Sequence, residues 1–185
     1  MRALVERLLV LARAVNELAA RSFAPCDLSQ ITESSALLFE AALFERGLTL
    51  QTELEPDITV SGDERQLSQL VEIYLDNARK YASGGTVAVR LFRCGKNRCR
   101  LSVSNEGEAL SPQALRQIFD RFSRADAART RDGSFGLGLS IAQAIAQAHG
   151  GSVWAESDGG VNTFFAELPV LSGHEKRQET AKKGI

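Results

Sequence analysis

The sequence predicts an α+β fold, a two-layer α/β sandwich in which helices cover one face of a mixed, mostly antiparallel sheet. Two observations support this prediction: the order of the helical and strand-like segments, and the pairing of the later strands across short turns. A chain of 185 residues, with 44% apolar and 24% charged residues, can bury one full core and carry a small appendage.

The first part of the predicted domain contains a capped helix and two strands. Asp27 and Gln30 form an N-terminal capping box for a helix that ends near Gly47. Residues 48–54 alternate between apolar and polar side chains, which predicts a strand, and residues 58–60 begin a second, shorter strand.

A longer amphipathic helix follows, with Asp63 at its N-cap. Its buried face is defined by apolar residues at helical spacing, namely Leu67, Leu70, Val71, Leu75 and Ala78. Asn77, Lys80 and Tyr81 lie three and four residues apart on a neighbouring stripe. This stripe suits a nucleotide, because an Asn oxygen can bind Mg²⁺, a Lys can neutralise phosphate and a Tyr ring can stack on a base. A solvated face with an Asp76–Lys80 ion pair is the alternative interpretation.

The remaining strands are predicted to form pairs. After the break at residues 83–85, residues 86–92 and 98–104 indicate an antiparallel hairpin. Residues 152–157 and 163–168 indicate the last two strands, which are also joined by a glycine-containing turn.

A helix and a polar loop separate these two pairs of strands. Ser111 followed by Pro112 is an N-cap and first-turn signature, which predicts a helix through Phe122. Residues 123–133 then lack apolar periodicity and contain three arginines, Arg124, Arg129 and Arg131. Arginines on such a loop could clamp phosphate oxygens when a ligand is present, and a solvated loop of mixed charge is the alternative.

A glycine-rich turn precedes the last helix. Gly136, Leu137, Gly138 and Leu139 lie where the loop becomes a helix that extends to residues 148–151. Glycines let backbone N–H groups approach a ligand, and the N-terminus of a helix favours phosphate. No Rossmann-type strand precedes the turn and no Gly-Lys-Ser/Thr ends it, so it is neither a dinucleotide fingerprint nor a Walker A loop.

Four motifs in this order resemble those of the catalytic and ATP-binding domain of sensor histidine kinases, within the GHKL ATPase superfamily. The resemblance covers roughly residues 27–170. Residues 75–81 match the N box of the family, 103–110 stand at its first glycine box, 118–124 match its F box and 136–141 match its second glycine box. The resemblance implies the GHKL ATP-binding fold and the cofactors ATP and Mg²⁺.

The resemblance also implies roles for individual residues at the phosphates. Asn77 is expected to bind Mg²⁺, and Lys80 with the backbone of Gly136 and Gly138 is expected to hold the phosphates. Tyr81 is expected to stack on adenine.

The base is expected to be recognised from the sheet. Asn105 and Thr163 would contact the edge of adenine, and Gly107 would allow its close approach. The remaining residues expected at the nucleotide are Leu110, Arg124, Leu137 and Leu139.

Four positions depart from the pattern of the family. Asn105 replaces the Asp that accepts a hydrogen bond from the adenine amino group, and a neutral hydrogen bond is roughly half as strong as a charge-assisted one, so weaker ATP affinity is expected. Ala109 replaces the second glycine of the first glycine box, and Asn162 replaces a glycine near the last strand. Ile73 lies one helical turn before Asn77, where the family usually has a polar residue that helps to activate the nucleophile or contacts the metal.

The predicted domain organisation has four parts. Residues 1–22 carry a heptad repeat and are similar to the end of the dimerisation and phosphoacceptor hairpin, 23–26 are a connector, 27–170 are the catalytic ATP-binding domain and 171–185 are a disordered tail. The heptad positions are Leu4, Leu8, Leu11, Val15 and Leu18.

The predicted function is the ATP-binding catalytic domain of a two-component sensor histidine kinase, which presents the γ-phosphate to a His on an upstream helical hairpin. The two histidines of this chain, His149 and His174, fit a helix end and the polar tail, so the phosphoacceptor is expected elsewhere. The alternatives are a degenerate nucleotide-binding interaction module, which Ile73 and Asn105 favour, and a GHKL ATPase or anti-sigma kinase. The sequence assigns no residue a catalytic role in the transfer itself.

The composition limits the classes of partner and of site that the chain is expected to have. A net charge of −1 gives no electrostatic case for nucleic acid or an anionic membrane, and no apolar run is long enough to span a bilayer. The spacing of the three cysteines favours core or solvent-side thiols in a reducing cytoplasm over a metal site or a disulfide scaffold. The resemblance adds the chain's own upstream hairpin, a response regulator reached indirectly, homodimerisation of the full-length protein and anchoring of that protein in the cell membrane.

Overall fold

The structure is a computed structural model that describes residues 23–120 and 137–171. Seven strands and four helices lie in these ranges. In chain order they are β1 (Ala24–Asp27), α1 (Leu28–Phe44), β2 (Thr49–Leu54), β3 (Thr59–Gly62), α2 (Glu64–Tyr81), β4 (Thr86–Cys94), β5 (Arg98–Glu106), α3 (Pro112–Gln117), α4 (Gly138–Ala148), β6 (Ser152–Asp158) and β7 (Val161–Pro169).

The main sheet confirms the predicted mixed α+β architecture. Its five strands lie in the order β2-β4-β5-β7-β6. Strand β2 is parallel to β4, because α2 provides the crossover between them, and the other neighbours are antiparallel. The three long helices α1, α2 and α4 pack on the same layer, and α2 lies between α1 and α4.

The segment 23–26, expected to be a connector, contains most of a strand. Strand β1 pairs antiparallel with β3, with Ala24 opposite Gly62. Cys26 is buried at the centre of this short pair, so the entrance to the domain is held by backbone hydrogen bonds and by core packing.

The helix after Ser111 is shorter than the sequence predicted. Its N-cap is confirmed, since Ser111 Oγ accepts a hydrogen bond from Ala114 N at 3.1 Å, but the helix ends at Gln117 instead of continuing to Phe122. A turn closed by Asp120 N to Gln117 O, at 2.9 Å, replaces the last part of the helix and accompanies the burial of Ile118 and Phe119. Phe122 lies outside the described residues.

The capped helices and the hairpins agree with the sequence. Asp27 accepts a hydrogen bond from Gln30 N, and Asp63 accepts bonds from the first turn of α2. The five apolar positions predicted for the buried face of α2 are all at most 1% exposed. All three cysteines lie in the described ranges, and each of them is a free thiol there. The heptad residues, the three loop arginines and most of the polar tail lie outside the described part of the chain.

Candidate nucleotide site

A cavity of about 260 Å³ opens between α2, the sheet, α3 and the first turn of α4. It is lined by both polar and apolar side chains, so it can hold a ligand that has a flat apolar body and a polar edge. The lining residues are Asn77, Tyr81, Asn105, Glu108, Ala109, Leu110, Ser111, Ala114, Ile118, Leu139, Asn162 and Phe164.

Helix α2 brings Asn77 and Tyr81 to one side of this cavity. The buried stripe of α2 faces the sheet, and the hydroxyl of the fully buried Tyr74 donates a hydrogen bond to Phe165 O at 2.8 Å. This bond adds to the packing that holds α2 against β7. Because Asn77 and Tyr81 are one turn apart on the adjacent stripe, both line the cavity.

Lys80 has a different environment. Its Nζ atom lies 2.5 Å from Asp76 Oδ2, and Arg79 also bonds to Asp76. The Asp76–Lys80 ion pair of the alternative interpretation is therefore present. Burial alone would raise the pKa of Asp76, but hydrogen bonds from Lys80 and Arg79 outweigh it and hold that pKa below its usual value. Lys80 is not among the residues that line the cavity.

Two asparagines from neighbouring strands lie side by side in the wall of the cavity. Asn105 on β5 and Asn162 on β7 are directly opposite each other in the sheet register, and they are 2% and 4% exposed. The Nδ2 group of Asn105 donates to Glu106 O at 2.9 Å, and that of Asn162 donates to Glu108 O at 3.0 Å. Both asparagines line the cavity.

Gly107 allows the two asparagines to pack closely. A Cβ atom at this position would lie 3.0 Å from Tyr81 O and 3.1–3.2 Å from the Nδ2 atoms of Asn105 and Asn162. The backbone of Gly107 also donates to Gly160 O at 2.9 Å, which ties the loop to the turn before β7. Gly107 thus serves close packing within the protein wall, whereas the sequence led us to expect close approach to the ligand.

Strand alternation separates Thr163 from the cavity. Neighbouring side chains on a strand point to opposite faces, and Asn162 and Phe164 take the face that carries the helices. Thr163 lies on the other face, where its hydroxyl donates to Ser104 Oγ at 3.0 Å. The expected base contact from Thr163 is therefore corrected: the β7 residue beside Asn105 in the cavity is Asn162.

The glycine turn is described from Leu137 onward. Leu137 precedes α4 without a side-chain cap, Gly138 is the first helical residue, and Leu139 is buried and lines the cavity. Leu110 also lines the cavity, and its N–H group donates to Ser157 Oγ at 2.9 Å. Gly136 and Arg124 lie outside the described residues.

Several cavity residues were missing from the sequence-based set. From the sequence, Asn162 is interpreted only as a replacement for a glycine, so its side chain in the cavity wall is missed, although the alternation of Asn162 and Phe164 along β7 is a usable signal. The apolar residues Ala114 and Ile118 come from the short helix α3 and its C-terminal turn. Only the observed position of that helix reveals them.

Within residues 23–120 and 137–171, no helix combines the length and the apolar character needed to cross a bilayer.

Comparisons with known proteins identify the family to which the chain belongs. The family model described as histidine kinase-, DNA gyrase B-, and HSP90-like ATPase matches residues 62–172. The sensor histidine kinase TrcS of Mycobacterium tuberculosis is 39% identical over 119 residues, which are 62% of this chain and 23% of that protein. The signal transduction histidine-protein kinase BaeS of Escherichia coli is 36% identical over 151 residues, which are 80% of this chain and 32% of that protein.

A solved structure gives the same result. The crystal structure of full-length ShkA in complex with AMPPNP superposes with a TM-score of 0.74 at 27% identity, over 90% of this chain and 36% of that one. The chain spans about a quarter to a third of the length of the two curated relatives named above. It belongs to the family of histidine kinase-, DNA gyrase B- and HSP90-like ATPases, and it carries an ATP-binding catalytic domain of the sensor histidine kinase type.

Proposed function

We propose that the cavity holds Mg-ATP and that the domain transfers the γ-phosphoryl group to a histidine on an upstream helical hairpin. The observation that carries this proposal is the joint lining of one cavity by Asn77, Tyr81, Asn105 and Leu139, which come from three separate sequence motifs. The solved complex of full-length ShkA with AMPPNP supports a nucleotide ligand for this fold.

The polar and the apolar residues of the lining have different proposed tasks. The ring of Tyr81 and the side chains of Ile118 and Phe164 offer flat or apolar surfaces to a base, and Asn105 offers a polar edge. Asn77 and the N–H groups of the first turn of α4, near Gly138, would hold the phosphate end. When bound, Mg²⁺ neutralises phosphate charge, and an Asn oxygen with phosphate oxygens suits its preference for hard ligands.

The proposed reaction needs little covalent chemistry from this chain. A neutral imidazole already has a lone pair on one nitrogen, which attacks the γ-phosphorus while the bond to the bridging oxygen breaks and ADP leaves. Positioning and charge neutralisation are therefore the main tasks of the domain. The apolar Ile73 is compatible with this transfer, whereas hydrolysis by water would gain from an acidic base at that position.

His149 does not fit the role of phosphoacceptor. It is 4% exposed, its Nε2 atom accepts a hydrogen bond from Asp63 N at 3.1 Å, and its Nδ1 group bonds to Ile145 O at 2.8 Å. Both ring nitrogens are therefore engaged in structural bonds. The acceptor is proposed to lie on a separate hairpin. Dimerisation, contact with a response regulator, cytoplasmic placement of this domain and membrane anchoring of the full-length protein belong to the same proposal.

A degenerate nucleotide-binding module is the second candidate. It is favoured by Ile73, which places a hydrocarbon side chain one turn before Asn77, and by Asn105, which offers no charge to the base. Such a module would bind nucleotide and contact partners without transferring phosphate.

Phosphotransfer from radiolabelled ATP to a supplied helical hairpin domain separates the two candidates. We expect the radiolabel to appear on a histidine of the hairpin, in a bond that is stable to base and labile to acid. We expect Asn77→Ala to abolish this labelling. Nucleotide binding without any transfer to hairpins from several sensor kinases would support the degenerate module and contradict the kinase.

A further inference from the structure

Helix α1 carries large apolar side chains on the face that points away from the core. Within residues 23–120 and 137–171, three of the five exposed large apolar side chains belong to this one helix, namely Leu37, Leu38 and Phe44, which are 63%, 74% and 79% exposed. The buried face of α1 is formed by other residues, which are Leu28, Ile31, Thr32, Ser35, Ala36 and Leu43. Exposed apolar side chains that share one face of a helix indicate an interaction surface, whereas scattered ones need no explanation.

The spacing of these residues fits a second helix. Leu37, Ala41 and Phe44 are four and three residues apart, so they form one stripe, and Leu38 lies beside it. We call these four residues the outer stripe. At 3.6 residues per turn it is turned by roughly 180° from the buried face of α1. Ala41, near its centre, is small enough to let another helix approach closely, so an amphipathic helix with the same four-three repeat fits this surface.

The charges beside the outer stripe are negative. Glu33, Glu40 and Glu45 are exposed, α1 contains no Lys or Arg, and Arg46 follows only in the turn after the helix. None of the ion pairs within the described part of the chain involves these three glutamates. The C-terminal end of a helix also carries partial negative charge. A basic partner is therefore favoured, and a second copy of α1 would instead bring glutamates close to glutamates.

The N-terminal segment of this chain, residues 1–22, has the matching sequence. Its heptad positions repeat with spacings of four and three, and they are Leu4, Leu8, Leu11, Val15 and Leu18. The segment contains four arginines and two glutamates, which give a net charge of +2. On a helix, Arg7 would lie beside the heptad leucines and both glutamates would lie on the opposite side. Two heptads are too few to form a stable coiled coil alone, so a surface that is already folded is the better partner.

The connection between the segment and α1 has a suitable length. Strand β1 leads from Phe23 to the start of α1, and the ring of Phe23 stacks on His149 with 4.6 Å between the ring centroids, so the segment begins at a fixed point. Arg7 lies as many residues before Phe23 as Phe44 lies after the first residue of α1. In a helix each of these stretches is about 24 Å long. If the chain reverses direction at β1, the first half of the segment reaches the second half of α1.

We propose that residues 1–22 dock on the outer stripe of α1, with the first heptad leucines on Leu37 and Phe44 and with Arg7 beside the glutamates. This contact fixes the direction in which the segment leaves the catalytic domain. It adds a surface for the end of the upstream hairpin to the proposed function, and it does not depend on the nucleotide site.

Hydrogen exchange of the full chain, measured by mass spectrometry, tests this contact. We expect the amides of residues 1–22 to be protected in the wild type. Leu37→Ser and Phe44→Ser should each lower this protection at least about fivefold, because each removes apolar area from the contact. Both side chains are exposed, so the domain should stay folded, and the protection of α2 in the same samples verifies this. Phe92→Ser is the matched control, since it removes an exposed apolar side chain from β4, and it should leave residues 1–22 protected.

The charges are tested by a second variant. Glu40→Gln combined with Glu45→Gln should lower the protection of residues 1–22 about twofold at low salt and have no effect at high salt. No effect at low salt would contradict the charge complementarity by which the segment is chosen as the occupant.

Three results of the exchange experiment would overturn the proposal. The first is a wild-type segment without protection. The second is protection that persists in both α1 variants and rises with protein concentration, which would assign the heptad leucines to pairing with a second copy. The third is an equal loss in Phe92→Ser, which would separate the effect from α1. Each of these results would leave the proposed nucleotide site untouched.

Discussion

Ile73 lies against Gly138, so that the apolar residue in the middle of α2 packs on the first residue of α4. A Cβ atom built on Gly138 would lie 3.5 Å from Ile73 Cγ2, which is an ordinary van der Waals distance. Among the described residues, no atom would clash with a methyl group at Gly138. Packing against this part of the chain therefore does not require a glycine, and a glycine here suits the close approach of a ligand to the backbone.

Gly138→Ala should separate stability from binding. Ala is favoured over Gly in a helix by about 1 kcal/mol, so the melting temperature should stay constant or rise. The added methyl group should obstruct phosphate at the start of α4 and weaken Mg-ATP binding at least about fivefold. Thermal unfolding and calorimetry on the same sample check both parts. Unchanged affinity would show that phosphate does not approach this turn.

His149 should make stability dependent on pH. Burial lowers the pKa of His149 below its usual value, although its bond to Ile145 O and the charge of Asp63 act in the opposite direction. The unfolded state therefore binds a proton at His149 more strongly than the folded state does. The contribution of the neutral His149 to the free energy of unfolding is complete above a pH of about 6.5. It is lost as the pH falls from that value through the lower pKa of the folded state.

The measurement is the free energy of unfolding at a series of pH values between about 5.5 and 7.5, a window above the usual range of carboxyl titration. We expect the wild-type chain to lose stability toward the acidic end and His149→Gln to be less stable but nearly flat. A wild-type profile that rises toward acidic pH would show that the folded state prefers the charged imidazole.

The fold could be predicted well from the sequence because its signals were local. Asp63 caps α2 and the apolar stripe of α2 is buried, as periodicity and capping chemistry require. The residues that form the site are set by contacts between segments that are far apart in the sequence. The partner of Asn105 was missed because its identity follows from the register between β5 and β7, and the end of α3 was misplaced because Ile118 and Phe119 are buried after a turn.

Gly151→Ala should be strongly destabilising. A Cβ atom there would lie 2.3 Å from Glu167 O and 2.6 Å from Leu168 Cδ2, and the backbone of β7 cannot move without disturbing the sheet. We expect a loss of about 2 kcal/mol or more by chemical denaturation, in line with other overpacking changes. Gly138→Ala is the matched control, since it adds the same methyl group where there is space. Equal stability of the two variants would contradict the packing described at the start of β6.

Tyr74→Phe should reduce stability and spare the ligand. The variant removes one buried hydrogen bond, from Tyr74 to Phe165 O, which should cost about 1 kcal/mol. The hydroxyl lies outside the cavity lining, so nucleotide affinity of the folded protein should be unchanged. Denaturant unfolding and calorimetry measure the two quantities, and a large loss of affinity at constant stability would show that the Tyr74 hydroxyl acts on the nucleotide site and not on stability.

The central claim is that the cavity beside Asn77 binds nucleotide together with Mg²⁺. The most direct measurement is calorimetric titration of the full chain with a non-hydrolysable ATP analogue, with and without Mg²⁺, for the wild type, for Asn77→Ala and for the exposed control Asn97→Ala. We predict binding of one nucleotide that is strengthened by Mg²⁺ in the wild type and in Asn97→Ala, and loss of the Mg²⁺ effect in Asn77→Ala. An equal effect of Mg²⁺ in all three proteins, or no binding by any of them, would contradict the account.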